Sequence, residues 1–176
     1  VNWRERVVPP TALTGAAALT TALVILATAL FLLIEYPAMP DILPVHFSKA
    51  GVANGWQYRT LARVLIPVGV QAMLAGTLGA VAILLLSRPH GQHDLDAPDV
   101  RAAATAAEAV VLLAAIWITF QGWAAFSLAR LWLSPRPSLP YYNLVEWFCG
   151  LASVVVFVRA HRRLGRPDPR PFVASH

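Results

Sequence analysis

Four long apolar runs, separated by polar connectors, set the pattern of this chain. Residues 11–34 (TALTGAAALTTALVILATALFLLI) carry no charge. Further apolar runs follow at 64–87, at 102–133 and at 141–160. At about 1.5 Å per residue, roughly 20 helical residues cross a hydrocarbon core of about 30 Å. The pattern therefore predicts membrane-spanning helices over 11–36, 64–87, 102–133 and 141–160. Pro9 and Pro10 suit entry to the first helix, and Pro37 ends it. That first run is longer than the apolar core of a cleaved signal, and no small-x-small site follows it, so it reads as a retained span.

The connectors differ in kind. Residues 37–63 form the longest, and three of their first eight residues are proline. Residues 88–101 (RPHGQHDLDAPDVR) are hydrophilic, SPRPSLP is a turn-rich break, and 161–176 make a basic, proline-rich tail. Asn54-Gly55, flanked by Val52 and Trp56, is a tight-turn signal. A small hairpin or a compact loop at the membrane surface fits 37–63, which is too polar to lie bare in lipid.

Two helix faces are candidates for close packing. Gly69, Ala72, Gly76 and Gly79 share one side of the second helix, where another helix could approach. Thr105, Glu108, Leu112, Ala115, Thr119 and Gly122 share one side of the third, expected to face the bundle interior. Gln71 and Gln121 are expected to hydrogen-bond between helices.

Composition agrees with a membrane chain. Of 176 residues, 57% are hydrophobic and 13% charged, about half the ~25% charge of ordinary soluble domains. The net charge of +5 would suggest nucleic acid in a soluble protein. Here the basic residues flank apolar runs, so they are assigned to topology and anionic headgroups: Arg159, Arg162, Arg163 and Arg166 above all. No nucleic-acid partner is expected. One cysteine, Cys149, excludes an intrachain disulfide and a cysteine-based zinc cluster.

Basic residues also set the expected orientation. Arg4, Arg6, Arg88, Arg101, Arg159, Arg162, Arg163, Arg166 and Arg170 fall on one side, and Lys49, Arg59, Arg63, Arg130 and Arg136 on the other. The richer side is expected in the cytoplasm. Both termini would then be inside, and the 37–63 loop would face outward.

Candidate chemistry is sparse. His46 could bind a metal, carry a proton, or hydrogen-bond the loop to a helix end. A lone histidine without a spaced partner favours the last. Asp41 after Pro40 reads as a turn cap. His90, His93, Asp94, Asp96 and Asp99 are metal-ligating types, but their spacing fits no zinc or calcium pattern. Glu108 lies about two turns beyond Arg101, where a carboxylate is costly unless solvated or paired. No phosphate loop, nucleophile elbow or dinucleotide fingerprint is present. No catalytic residue, metal or cofactor is assigned.

One stretch carries a resemblance: Tyr36-Pro37, Met39-Pro40-Asp41, Leu43-Pro44-Val45-His46-Phe47, Ser48, Gly51, Asn54-Gly55-Trp56 and Arg59. It resembles the small bacterial membrane domain of unknown function at the N-terminus of SdpI-type immunity proteins. The pattern departs mildly at Met39, Leu43, Ser48 and Arg59. The rest of the chain does not look like the second half of those proteins. The resemblance implies a bacterial inner-membrane protein with this loop as its distinctive part.

These readings combine into one expectation: an all-α integral membrane protein of four transmembrane helices, with both termini cytoplasmic and an ordered outward loop between helices 1 and 2. Pro40, Asp41, Pro44, His46, Phe47, Gly51, Asn54, Gly55, Trp56 and Arg59 are its structural or partner-binding motif. His46, Asp41 and the Asn54-Gly55 turn are expected to pin the loop. The expected role is non-enzymatic, in binding, immunity or signalling. The partners considered are the bilayer, other membrane subunits and a secreted peptide. An accessory subunit of a larger membrane complex is the main alternative, and a metal-dependent membrane enzyme a weaker one.

Overall fold

A computed structural model describes residues 8–48, 52–87, 98–133 and 142–165. Four of its helices are long and apolar enough to cross a membrane: α1 (Ala12–Glu35), α3 (Ile66–Leu86), α4 (Pro98–Trp132) and α5 (Tyr142–Leu164). Between α1 and α3 come a 3-10 turn (Tyr36–Ala38), an antiparallel hairpin of β1 (Ile42–Phe47) and β2 (Ala53–Tyr58), and a single helical turn, α2 (Leu61–Val64). The chain thus adopts the expected four-span helical fold, and the ordered segment between the first two spans is a two-strand hairpin.

Local chemistry explains the helix ends. Thr11 caps α1, its hydroxyl accepting from the Thr14 amide at 3.1 Å. Thr60 caps α2 in the same way, accepting from the Arg63 amide at 3.2 Å. Pro67 has no N–H to give the carbonyl of Arg63, so the helix breaks at Leu65 and restarts as α3. The helix α4 begins before the apolar run does, because proline is favoured in the first turn. His161, Arg162 and Arg163 lie in the last turn of α5, where cations meet the negative end of the helix dipole.

Helix α4 is the central element and packs against α1, α3 and α5. Its buried stripe is Ala103, Ala107, Val111, Ala114, Ile118, Ala125, Ala129 and Trp132, at three-, four- and seven-residue spacing. The facing side of α1 buries Thr14, Ala17, Thr21, Thr28 and Leu32. These side chains are mostly small, so the two backbones can approach closely. The threonines do not leave hydroxyls bare: Thr21 and Thr28 donate to the carbonyls four residues earlier, at 2.9 and 2.8 Å.

Among the described residues, no helix of this chain packs on the expected face of α3. A Cβ placed on Gly69, Gly76 or Gly79 would meet nothing within 4 Å, and Ala72 is exposed. The inner face is set by Gln71, which is fully buried and donates to the Ile118 carbonyl at 3.0 Å and the Thr28 hydroxyl at 3.3 Å. An amide needs polar partners that lipid cannot supply. Turning Gln71 inward turns the glycines outward. On α4, Thr119 is likewise exposed, while Ile118 beside it is buried. Gly122 does lie at a helix crossing: a Cβ there would come within 3.0 Å of Val24 Cγ1 and Thr28 Oγ1, and 3.2 Å of Gln71 Nε2.

Candidate functional site

The hairpin sits on one end of the bundle, over the C-terminal ends of α1 and α4. Its underside is apolar. Leu43 of β1 and Met39 join Leu32, Val64, Ala125, Ala129 and Trp132 in one buried cluster, with Val45 packed against it. Alternation along a strand puts Leu43 and Val45 on the same face, so this face goes down. The indole of Trp132 donates to the Pro44 carbonyl at 2.8 Å, tying β1 to the last turn of α4.

Arg59 closes the other side. It follows β2, and its amide donates to the Asp41 carbonyl at 2.7 Å. Its guanidinium donates to three carbonyls where α1 runs out: Tyr36 at 2.9 Å, Pro37 at 3.3 Å and Met39 at 2.6 Å. It also donates to Asp41 Oδ1 at 3.1 Å and lies 5.0 Å from the centre of the Tyr36 ring. Carbonyls at a helix C-terminus lack intrahelical donors and carry partial negative charge. One guanidinium nitrogen, Nη1, serves all three carbonyls, while the other arm of the fork, Nη2, reaches Asp41. The Arg63 guanidinium adds a hydrogen bond to the Tyr58 carbonyl.

Of the expected pins, Asp41 engages Arg59, while His46 and Asn54-Gly55 act otherwise. Among the described residues the His46 imidazole makes no hydrogen bond, and the side chain is exposed. Asp41 is 89% exposed and contributes one edge of the Arg59 contact. Asn54-Gly55 lies within β2 rather than at the turn. The hairpin connection is closed instead by the Ser48 amide donating to the Val52 carbonyl at 2.8 Å and the Val52 amide donating to the Ser48 hydroxyl at 3.2 Å. Gly55 pairs with His46 at an irregularity in the register, and a Cβ there would fall 2.7 Å from His46 Cβ. The small residue makes room for the histidine.

Among the described residues the upper face of the hairpin is open. Ile42 pairs with Tyr58, and Pro44 with Trp56. Trp56 is 59% and Tyr58 74% exposed. His46, next along, is exposed over Gly55. Pro40 and Asn54 are exposed, and Phe47 is half-buried opposite Ala53. Gly51 lies outside the described residues.

A second polar cluster occupies the opposite end of the bundle. Glu108 is buried, with 7% of its side chain exposed. It accepts from Thr11 Oγ1 through Oε2 at 2.7 Å, and through Oε1 from Arg159 at 3.2 Å and Arg163 at 2.9 Å. Thr11 caps α1, so Glu108 also lies at that helix's positive end. One carboxylate of α4 thereby links α1 and α5. Arg159 and Arg163, expected at lipid headgroups, turn their guanidinium groups to Glu108. Arg162 is exposed, and Arg166 lies outside the described residues. So do His90, His93, Asp94 and Asp96.

Sequence reasoning found Arg59, Gly55 and Glu108 but not their partners. It missed Trp132 as an internal strut and Thr11 as a ligand of Glu108. The only signal for Trp132 was an indole at a helix end, which reads equally well as an interfacial anchor.

Spans and site together define a multi-pass membrane protein with a structured cap between its first two spans. A family model described as a domain of unknown function (DUF1648) matches residues 23–70. The match runs from the middle of α1 through the hairpin into α3, and leaves α4 and α5 outside it. No curated protein and no solved structure matches the chain.

Proposed function

We propose that this is a non-enzymatic membrane protein whose hairpin is an outward-facing binding platform. One observation carries the reading. The hairpin is held from below by a buried apolar cluster and from the side by Arg59, while its upper face leaves Ile42, Trp56, Tyr58 and His46 uncovered. A rigid, partly apolar surface is prepared for a partner because little ordering entropy remains to be lost on binding. The excess of arginine at the opposite end supports an outward hairpin. The likeness of the loop motif to SdpI-type immunity proteins favours a bacterial inner membrane and a secreted peptide as the partner class.

Complementation of a knockout strain tests this. The H46A/W56A variant, inserted at normal abundance, is expected to fail to restore the phenotype. Full rescue of every phenotype by that variant would refute the platform.

A second reading, an accessory subunit, draws on the uncovered small-residue face of α3 at Gly69, Ala72 and Gly76. A helix of another chain could approach there. A monodisperse monomer after mild detergent extraction would exclude it.

A further inference from the structure

We infer that the cleft between α4 and α5 is a specific site for one anionic phospholipid, its phosphate held by Arg159 and Arg163. The cleft is lined by Glu108, Leu112, Val156, Arg159, Ala160 and Arg163, with Thr105 and Ala109 completing its α4 wall. Its lining is graded along the helix axes. Leu112 and Val156 lie towards the middle of the spans, and Thr105 and Arg163 towards the helix ends. Four residues of helix advance about 6 Å, so Leu112 and Val156 lie about one turn deeper than Glu108 and Ala160. The cleft is shallow, about 180 Å³ with its open mouth, so the acyl chains would stay in the surrounding bilayer beside Leu112 and Val156. A headgroup meets arginine at the depth where the bilayer is polar.

The charges are unbalanced in the required direction. Two guanidinium groups share a single carboxylate oxygen, Glu108 Oε1. The trio carries a net positive charge. Each arginine has five N–H donors and gives one to Glu108, so most remain for another acceptor. The two side chains are 47% and 45% exposed, so those donors are reachable. Glu108 in turn is fixed by Thr11 and fixes the arginines, so the fork is formed before a ligand arrives. Arginine forks match phosphate oxygens in geometry as well as charge. Arg162, on the same turn but exposed and outside the cleft, provides a comparison within the same basic surface.

The test uses the full chain, stripped of lipid in neutral detergent and titrated with phosphatidylglycerol or phosphatidylcholine under native mass spectrometry. One phosphatidylglycerol is expected to be retained at least about ten-fold more strongly than phosphatidylcholine. R159Q/R163Q is expected to abolish the preference, and R162Q to keep it. Equal retention of the two lipids by the unmodified chain overturns the site, without reliance on any variant folding. Loss of the preference in R162Q to the same degree as in R159Q/R163Q also overturns it, since the effect would then be a diffuse basic surface. Complete displacement of phosphatidylglycerol by millimolar inorganic phosphate would overturn the lipid assignment in favour of a free phosphate site.

Discussion

Replacing Arg59 by alanine should release the hairpin from α1 while leaving the four spans in place. The guanidinium is 21% exposed and serves the carbonyls of Tyr36, Pro37 and Met39 together with Asp41. A hydrogen bond from a charged donor contributes roughly 1.5–3 kcal/mol, and the Tyr36 carbonyl keeps the Met39 amide at 3.2 Å when Arg59 is removed. The 3.3 Å contact to Pro37 is weak, and water can reach the freed carbonyls in part. The surface ion pair to an exposed Asp41 contributes about 0–1 kcal/mol. Two good carbonyl contacts, discounted for solvent, leave about 2–4 kcal/mol of local anchoring. Hydrogen exchange in nanodiscs reads this directly through the amides of Ser48 and Arg59, which the hairpin protects. At about 1.4 kcal/mol per factor of ten, R59A should speed their exchange roughly 30- to 700-fold, with little change in the middle of α4. D41N should change them less than about five-fold, because most of the clasp is to backbone. R59K should fall between, since one ammonium cannot serve both the carbonyls now held by Nη1 and the Asp41 carboxylate held by Nη2. Unchanged exchange in R59A, or an equal effect from D41N, would refute the clasp.

Other substitutions probe other contacts. Gly55→Ala should destabilise the hairpin by about 1–3 kcal/mol, the usual range for forced overpacking. Adding His46→Ala should not relieve it while adding His46→Gly should, because the close approach is to the histidine Cβ; thermal melts of the single variant and the two double variants decide this. Trp132→Phe loses the hydrogen bond to Pro44 and leaves a cavity in the buried cluster, so a loss of about 1–3 kcal/mol is expected in chemical denaturation. Gly76→Ala should be neutral or up to about 1 kcal/mol stabilising, since the position faces away from the bundle and alanine favours helix. Gly122→Ala should destabilise by about 1–3 kcal/mol at the three-helix crossing.

The spans were legible in the sequence because hydrocarbon imposes a one-dimensional rule: about 20 apolar residues in a row. Which face of each span turns inward was less legible. On α3 the small residues suggested one face, yet a single glutamine decided for the other, since one buried amide outweighs several glycines that lipid tolerates equally well. The hairpin showed a similar limit. Asn54-Gly55 has the composition of a tight turn, but the glycine answers a cross-strand demand, the space taken by His46 on the facing strand. Local propensity cannot register which residue the strand register places opposite. Glu108 stood out as a carboxylate in an apolar run. Its partners Thr11, Arg159 and Arg163 come from two other helices, so their pairing emerges only once the bundle is assembled.

The outward hairpin is tested most directly by site-selective labelling in sealed, right-side-out vesicles. Cys149 would be replaced by alanine, and a single cysteine placed at Trp56 or at Arg162, both exposed positions at opposite ends of the bundle. A membrane-impermeant maleimide should label W56C in intact vesicles, and R162C only after permeabilisation. Labelling of R162C from outside, with W56C protected until the membrane is opened, would contradict the orientation and with it the outward binding platform.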